Sequence, residues 1–387
     1  MDIAIVAAKR TPMGAFQGAL AEVSAPELGA CAIQAALVQS GLSPEQVDEV
    51  YLGNVLGAGV GQAPARQATL KAGLPLAVPA TTINKVCGSG MKTVMLAADS
   101  IRLGDNRVVV AGGMESMSRA PYLLDKARSG FRMGHQTVLD HLFLDGLQDA
   151  YDGQLMGIHA QHSADQAGLT RVAMDEFALA SLQRARQAQQ EGLFAAELAP
   201  VYRCEQLLLA EDEQPGKGRP DKIPMLKPAF GKEGTITAAN ASSISDGAAA
   251  LILMAPELAQ THQIPVLARI VGYQSHAALP AEFTSAPIGA ISRLLAKLDW
   301  SVEEVDLFEI NEAFAMVTML AMAGCNIPHH KVNVHGGACA LGHPLGASGA
   351  RVLVTLIAAL RQRGLRRGVA ALCIGGGEAT AMAVEID

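Results

Sequence analysis

Apolar runs with polar boundaries divide the chain into alternating strands and helices. Met1-Asp2-Ile3-Ala4-Ile5-Val6 reads as a buried strand at the start. Ala268-Arg269-Ile270-Val271-Gly272 and the run from Val369 to Ile374 read as strands buried on both faces. Between such runs, apolar positions recur at helical spacing over roughly 26–40 and 286–298. A long helix is predicted from Arg171 to Glu191, with Thr170 as its N-cap and Asp175 and Glu176 as acids of its first turn. This alternation predicts an α/β protein with two mixed sheets and helices packed between and outside them.

The pattern occurs twice. Ser43-Pro44-Glu45-Gln46-Val47-Asp48 leads to Asn54, and Ser301-Val302-Glu303-Glu304-Val305-Asp306 leads to Asn311. Ser89 and Ser348 each precede a helix and then a strand that ends in glycines. The offset is roughly 260 residues, which points to a duplicated α/β unit. The stretch from about 119 to 243 has no counterpart in the second half and reads as an excursion inserted into the first, a usual place for substrate recognition. It contains the long helix and a polar segment broken by Pro and Gly, Glu211 to Pro228.

Composition narrows the function. Half of the 387 residues are hydrophobic and 17% are charged, which describes a well-buried globular chain. A net charge of −7 supplies no basic field for wide nucleic-acid binding, although a local pocket can still hold a small anion. No apolar run reaches membrane-spanning length. Six cysteines stand at 31, 87, 204, 325, 339 and 373, with no C-x-x-C pair and no secretory leader ahead of them. Free thiols in a reducing, cytoplasmic setting are the expectation, and no metal site is expected because the Cys and His spacings lack paired ligands.

Two of these thiols sit at chemically suggestive points. Cys87 opens Cys87-Gly88-Ser89-Gly90 at a predicted helix start, where the helix's positive end acidifies a thiol and free amides can hold an oxyanion. Cys373 ends a predicted strand and enters Gly375-Gly376-Gly377, the end of a strand at which α/β proteins bind ligands. His343 lies between them in the glycine-rich loop Gly342-His343-Pro344, and Asn311 follows the strand Val305 to Ile310. Two thiols and an imidazole can divide attack, assistance and proton transfer.

Together Val86-Cys87-Gly88-Ser89-Gly90, Asn311-Glu312-Ala313-Phe314, Gly342-His343-Pro344 and Cys373-Ile374-Gly375-Gly376-Gly377 resemble the thiolases over essentially the whole chain. Gly112-Gly113-Met114-Glu115-Ser116-Met117-Ser118 and Asn240-Ala241-Ser242 match that family too. The resemblance implies the thiolase fold: duplicated βαβαβαββ halves forming a five-layered αβαβα core, with an inserted loop domain. The expected division is 1–118 plus 244–266, 119–243, and 267–387. It implies reversible thiolysis of a 3-ketoacyl-CoA by coenzyme A, or Claisen condensation in reverse, with CoA as substrate and no cofactor.

Carried over by residue, the resemblance makes Cys87 the acylated nucleophile, His343 its activator and Cys373 the acid/base. Asn311 holds a water in one oxyanion hole, and the amides of Cys87 and Gly375 form the other. Ser242 is expected on the pantetheine arm, with Met156 and Phe314 beside the acyl-CoA. Lys217, Arg219 and Lys222 in the insert are candidates for the CoA phosphates. The 119–153 stretch resembles the short-chain type, in which it carries a tetramerisation loop, so a homotetramer built as a dimer of dimers is implied. Two departures stand out: Leu155 replaces a histidine common before Met156-Gly157, and Phe283-Thr284 replaces a Met-Gly pair near the acyl pocket. The alternatives are a broad-chain 3-ketoacyl-CoA thiolase, a ketosynthase of the same broad fold, and a silent CoA- or lipid-binding protein. Ketosynthases usually pair one Cys with two His, and a silent protein would have lost its nucleophile or partner. The presence of Cys87, His343 and Cys373 together speaks against both.

Overall fold

The computed structural model describes residues 2–387; Met1, read above as the first residue of the opening strand, lies outside the described residues. The first half contributes strands β1 (Ile3–Arg10), β2 (Glu49–Gly53), β3 (Ala80–Ile83), β4 (Val108–Ser116) and β5 (Ser245–Met254). The second contributes β6 (Ala268–Ala277), β7 (Leu307–Ile310), β8 (Arg367–Ile374) and β9 (Glu378–Glu385). Among the described residues these run in the order β7-β8-β9-β6-β1-β5-β4-β2-β3. The two expected mixed sheets are therefore one hydrogen-bonded path. The edges of the halves join where β1 meets β6, Ile3 opposite Ile270 and Ile5 opposite Ala268.

The duplication is visible in the backbone. In each half two parallel strands, β2 with β4 or β7 with β8, are followed by antiparallel neighbours. Asp48 Oδ2 accepts the amides of Arg107 and Val108 at 2.7 and 2.8 Å, and Asp306 Oδ2 accepts those of Arg366 and Arg367 at 2.9 and 2.8 Å. Each aspartate thus fixes the start of the strand beside it. Even β3 has a vestige in the second half, the single parallel bridge of Phe308 to Val332.

Helices α1 (Ala25–Ser40) and α2 (Pro64–Lys71) cover the outer face of the first half. α1 starts at a reciprocal cap between Ser24 and Glu27 and stops at Gly41 with φ 69°, a left-handed stop that glycine adopts without strain. Helices α3 (Ser89–Leu103) and α8 (Leu345–Arg363) lie at the centre and pack together against both halves of the sheet through one apolar cluster. The two helices approach closely at Gly90 and Gly349. A Cβ on Gly90 would lie 2.7 Å from the Ala350 nitrogen, and one on Gly349 would overlap the Met91 nitrogen. Helices α6 (Ala286–Leu298) and α7 (Ala315–Cys325) cover the second half. The result is five layers, helix and sheet in alternation.

The insert carries α4 (Met156–Gln166) and α5 (Arg171–Gln190). It is tied to the core by fully buried Arg10, whose guanidinium meets Glu197 at 2.6 Å and Asp212 at 2.7 Å. Two local readings are corrected. Asp175 and Glu176 are not first-turn acids: Asp175 pairs with Arg171 at 2.6 Å and accepts Asn240 Nδ2 at 2.9 Å, so tertiary partners rather than the helix end use its charge. β6 is not buried on both faces; its residues alternate between buried and half-buried and become more exposed toward Ala277.

Candidate active site

The loop between β3 and α3 presents Cys87. Val86 sits at φ 47°, a left-handed conformation that a β-branched residue adopts only when its surroundings impose it. Those surroundings are visible. Ser89 Oγ accepts the Lys85 amide at 2.8 Å and donates to the Val86 carbonyl at 2.6 Å, while Asn84 Oδ1 accepts the Val86 amide at 2.9 Å. Gly88 lets the loop rest on the end of β8, since a Cβ there would overlap Ile374 Cδ1. The Gly375 amide and the thiol's own amide point at Cys87. The expected acidification does not follow. Burial pushes the thiol up to about 11, outweighing both amides, and the charge of Glu115 pushes the same way.

His343 is held from both sides. Its amide donates to the Ser243 carbonyl at 3.1 Å. Its Nδ1 lies 2.6 Å from Ser348 Oγ, and that hydroxyl donates to the Pro344 carbonyl at 2.9 Å. A hydroxyl has one proton, so Ser348 accepts from Nδ1–H and the Nε2 lone pair is left toward the site. Burial, with Arg351 adding to it, lowers the imidazole to about 3, so it is neutral at ordinary pH. Asn311 Nδ2 stands 3.5 Å from Nε2. Its amide is oriented by Arg351, 3.5 Å from Asn311 Oδ1 and ion-paired at 2.8 Å with Glu309 in full burial.

Cys373 is buried near the end of β8, and burial together with the neighbouring Cys87 holds its thiol well above the ordinary range. Both thiols and the imidazole open on one cavity of about 250 Å³. Gly375, Ser242, Met156 and Phe314 share its wall, with Leu155 and Phe283. Phe314 meets Phe230 and Phe283 edge-on at centroid distances of 6.3 and 6.5 Å, so the far wall is aromatic and apolar. A neighbouring cavity of about 310 Å³ brings together Lys217, Arg219 and Lys222, and Ser243 lines both cavities. Away from these, Asp149, Asp152 and His159 bring ligand-type atoms within 4.8 Å of one another, with Asp152 exposed. Such acidic groups gather without an ion, and no metal is assigned there.

The family description "Thiolase, N-terminal domain" matches residues 3–257, and "Thiolase, C-terminal domain" matches 264–386. The chain belongs to the thiolase family.

Among relatives of this thiolase, an acetyl-CoA acetyltransferase of Pseudomonas aeruginosa is 50% identical and one of Cupriavidus necator 48% identical, each aligned over at least 99% of both chains. A probable acetyl-CoA acyltransferase of Staphylococcus aureus is 46% identical over 99% of this chain and 98% of its own. The Acat5 thiolase of Ascaris suum, solved with coenzyme A, superposes with a TM-score of 0.95 at 40% identity, and each chain is covered in full.

Seven of the residues picked from the thiolase motifs meet on one cavity, and the three basic ones line its neighbour. Asn311 lies one layer back, beside His343 and off the cavity wall. Sequence reasoning missed Ser243, Phe230 and Arg351, quoted Glu115 within a family motif without a role, and missed the orienting contact of Ser348. Ser348 is five residues from His343 and lay within reach of a local argument. Arg351 and Glu115 have partners 42 and up to 231 residues away, with no local signal.

Proposed function

We propose that this thiolase cleaves acetoacetyl-CoA and short 3-ketoacyl-CoAs reversibly with coenzyme A, through an acyl group on Cys87. The observation that carries this is the meeting of Cys87, His343 and Cys373 on one apolar cavity that adjoins a basic one across Ser243. The basic cavity suits the phosphates of CoA, and the Ascaris relative carries coenzyme A in the same fold.

The steps follow from the groups present. His343 Nε2 takes the Cys87 proton as the sulfur adds to the 3-keto carbon, and the amides of Cys87 and Gly375 receive the oxyanion. The bond between C2 and C3 breaks, the shortened acyl group stays on Cys87, and Cys373 gives its proton to the departing acetyl-CoA carbanion. Cys373 then takes the thiol proton of an incoming CoA. The CoA sulfur attacks the acyl-Cys87 carbonyl, and Cys87 leaves and recovers its proton from His343. Asn311 acts through His343 or a held water. Every atom and electron balances without a metal or a redox group.

The neutral thiol and imidazole suit this order. Both groups are uncharged until substrate arrives, so no buried charge waits in the empty site. A broad-chain activity is the second reading, favoured by Leu155 and Phe283 on the apolar wall. The exposed apolar side chains Tyr122, Phe131, Met133 and Tyr151 in the 119–153 arm suit a homo-oligomer, with a tetramer as the reading. No helix among the described residues is long and apolar enough to cross a membrane, and the unpaired thiols suit the cytoplasm.

The test is incubation with acetyl-CoA, digestion and mass spectrometry, with acetyl expected on the Cys87 peptide. Label on Cys373 alone overturns the roles. Kcat/KM across 3-ketoacyl-CoAs from about four to sixteen carbons decides chain length, since each methylene is worth only about 1–3 kcal/mol in such a pocket. If acetoacetyl-CoA is the poorest substrate, the broad-chain reading replaces the short-chain one.

A further inference from the structure

Glu115 stands in β4 with its carboxylate fully buried. Oε1 accepts Asn54 Nδ2 at 2.7 Å and the Leu56 amide at 3.2 Å, and Oε2 accepts the Val55 amide at 3.0 Å and the Gly346 amide at 2.9 Å. Burial raises the carboxyl to about 7 against these four N–H donors, so it carries its charge above neutral pH. No ion pair of the described residues includes it. Its counter-charge is the positive end of α8, since Gly346 is the second residue of that helix.

The donors come from different parts of the duplicated frame. Asn54, Val55 and Leu56 follow β2 in the first half, and Gly346 opens the central helix of the second. Gly346 is three residues beyond His343 and two before Ser348, in the turn that carries the imidazole and its orienting hydroxyl. The same carboxylate stands near Cys87 and Asp246. One buried group therefore spans the seam between the half that carries the nucleophile and the half that carries its proton acceptor.

We propose that Glu115 is a positioning residue of the acyl-transfer step, fixing the His343 turn of α8 against the half that carries Cys87. The proposal rests on the acyl-Cys87 reading above. Its charge has a second consequence, because an unpaired carboxylate beside the nucleophile disfavours the thiolate. Removing the charge makes Cys87 more acidic while it lets His343 drift. The other groups about the pair are Cys373 on β8, Asp246 on β5, Arg351 with Glu309 behind His343, and Lys85 with Glu378 at the loop edge. Of these, Asp246 feels the charge at 115 directly.

The test uses Glu115→Gln and Glu115→Asp in the full chain. Wild-type thiolysis of acetoacetyl-CoA is measured first, and its absence counts against the proposed function rather than against Glu115. Cys87 alkylation by iodoacetamide is followed across pH by peptide mass spectrometry, which needs no turnover. In Glu115→Gln an amide N–H2 confronts backbone donors and the charge is gone. Its kcat should fall at least about tenfold with KM within about twofold, while the midpoint of Cys87 alkylation moves to lower pH. Glu115→Asp keeps the charge but falls one methylene short of Gly346, so kcat should drop with the alkylation midpoint unmoved. A merely structural role lowers thermal stability and kcat together and leaves the midpoint in place in both variants. A glutamine variant with near-normal kcat, or with an unshifted midpoint, overturns the proposal. If that variant does not fold, near-normal kcat in Glu115→Asp overturns it.

Discussion

Ser348 Oγ lies 2.6 Å from His343 Nδ1 and 2.9 Å from the Pro344 carbonyl, so one hydroxyl decides which imidazole nitrogen carries the proton. Ser348→Ala frees the ring to hold its proton on either nitrogen. Losing a hydrogen bond to a buried group costs about 1–3 kcal/mol, a factor of roughly 5–150 in rate. The loss should fall on kcat with KM nearly unchanged, and steady-state kinetics with acetoacetyl-CoA would read it. A kcat within twofold of wild type would refute the tautomer argument.

The two thiols should separate in a single-turnover experiment. Cys87→Ser should take no acyl group from acetyl-CoA. Cys373→Ser should still be acylated yet turn over about 10²–10⁴-fold more slowly, because it lacks the group that moves the α-carbon proton. Rapid quench with labelled acetyl-CoA measures both, and near-normal thiolysis by Cys373→Ser would remove its assigned role.

The neutral state of His343 has a signature in stability. Its folded pKa, about 3, lies below the ordinary 6.5, so its contribution is present above about 6.5 and is lost as pH falls toward 3. By pH 4.5 the loss is about 2–3 kcal/mol. His335, lowered to about 4, acts in the same direction. Glu115 and Glu309, raised to about 7, act in the opposite one, their contribution being lost as pH rises toward 7. Comparison with His343→Asn isolates the histidine: the variant's Tm should fall less than that of wild type between pH 6.5 and 4.5. Parallel curves would show that His343 accepts its proton in the folded state.

The central helix crossing should tolerate no side chain. Gly349→Ala drives a methyl into the Met91 backbone, which cannot yield as a flexible side chain would. Overpacking of this kind costs about 1–3 kcal/mol. Urea unfolding should show a lower midpoint with an unchanged slope, and a wild-type midpoint would mean that α3 and α8 have room to part.

Much of the proposed site was legible along the chain because the groups assigned to the reaction stand in short glycine-marked motifs at element ends. Cys87, His343, Cys373 and Gly375 were each found beside the backbone break that presents them. The duplicated frame was legible for a related reason, since Asp48 and Asp306 sit at equivalent points of repeated segments. What stayed hidden depends on contacts across the fold. The Cys87 thiol was read as acidified by its helix start, but its burial in the folded chain raises it and the charge of Glu115 adds to the rise. Asp175 was read as a helix-end acid, although Arg171 and Asn240 use it. The joined sheet rests on three residue pairs between β1 and β6, too few to mark either strand.

The seam between α3 and α8 also governs how the protein can come apart. Each helix is apolar toward the other and toward both halves of the sheet, so a separated half would expose its most hydrophobic surface to water. Joining two such units in one polypeptide makes their meeting intramolecular, at an effective concentration that free fragments could not match. Neither unit needs a stable life of its own. That leaves the paired copies free to diverge in their loops, one keeping a nucleophile and the other a proton carrier, while their shared interior holds them in register.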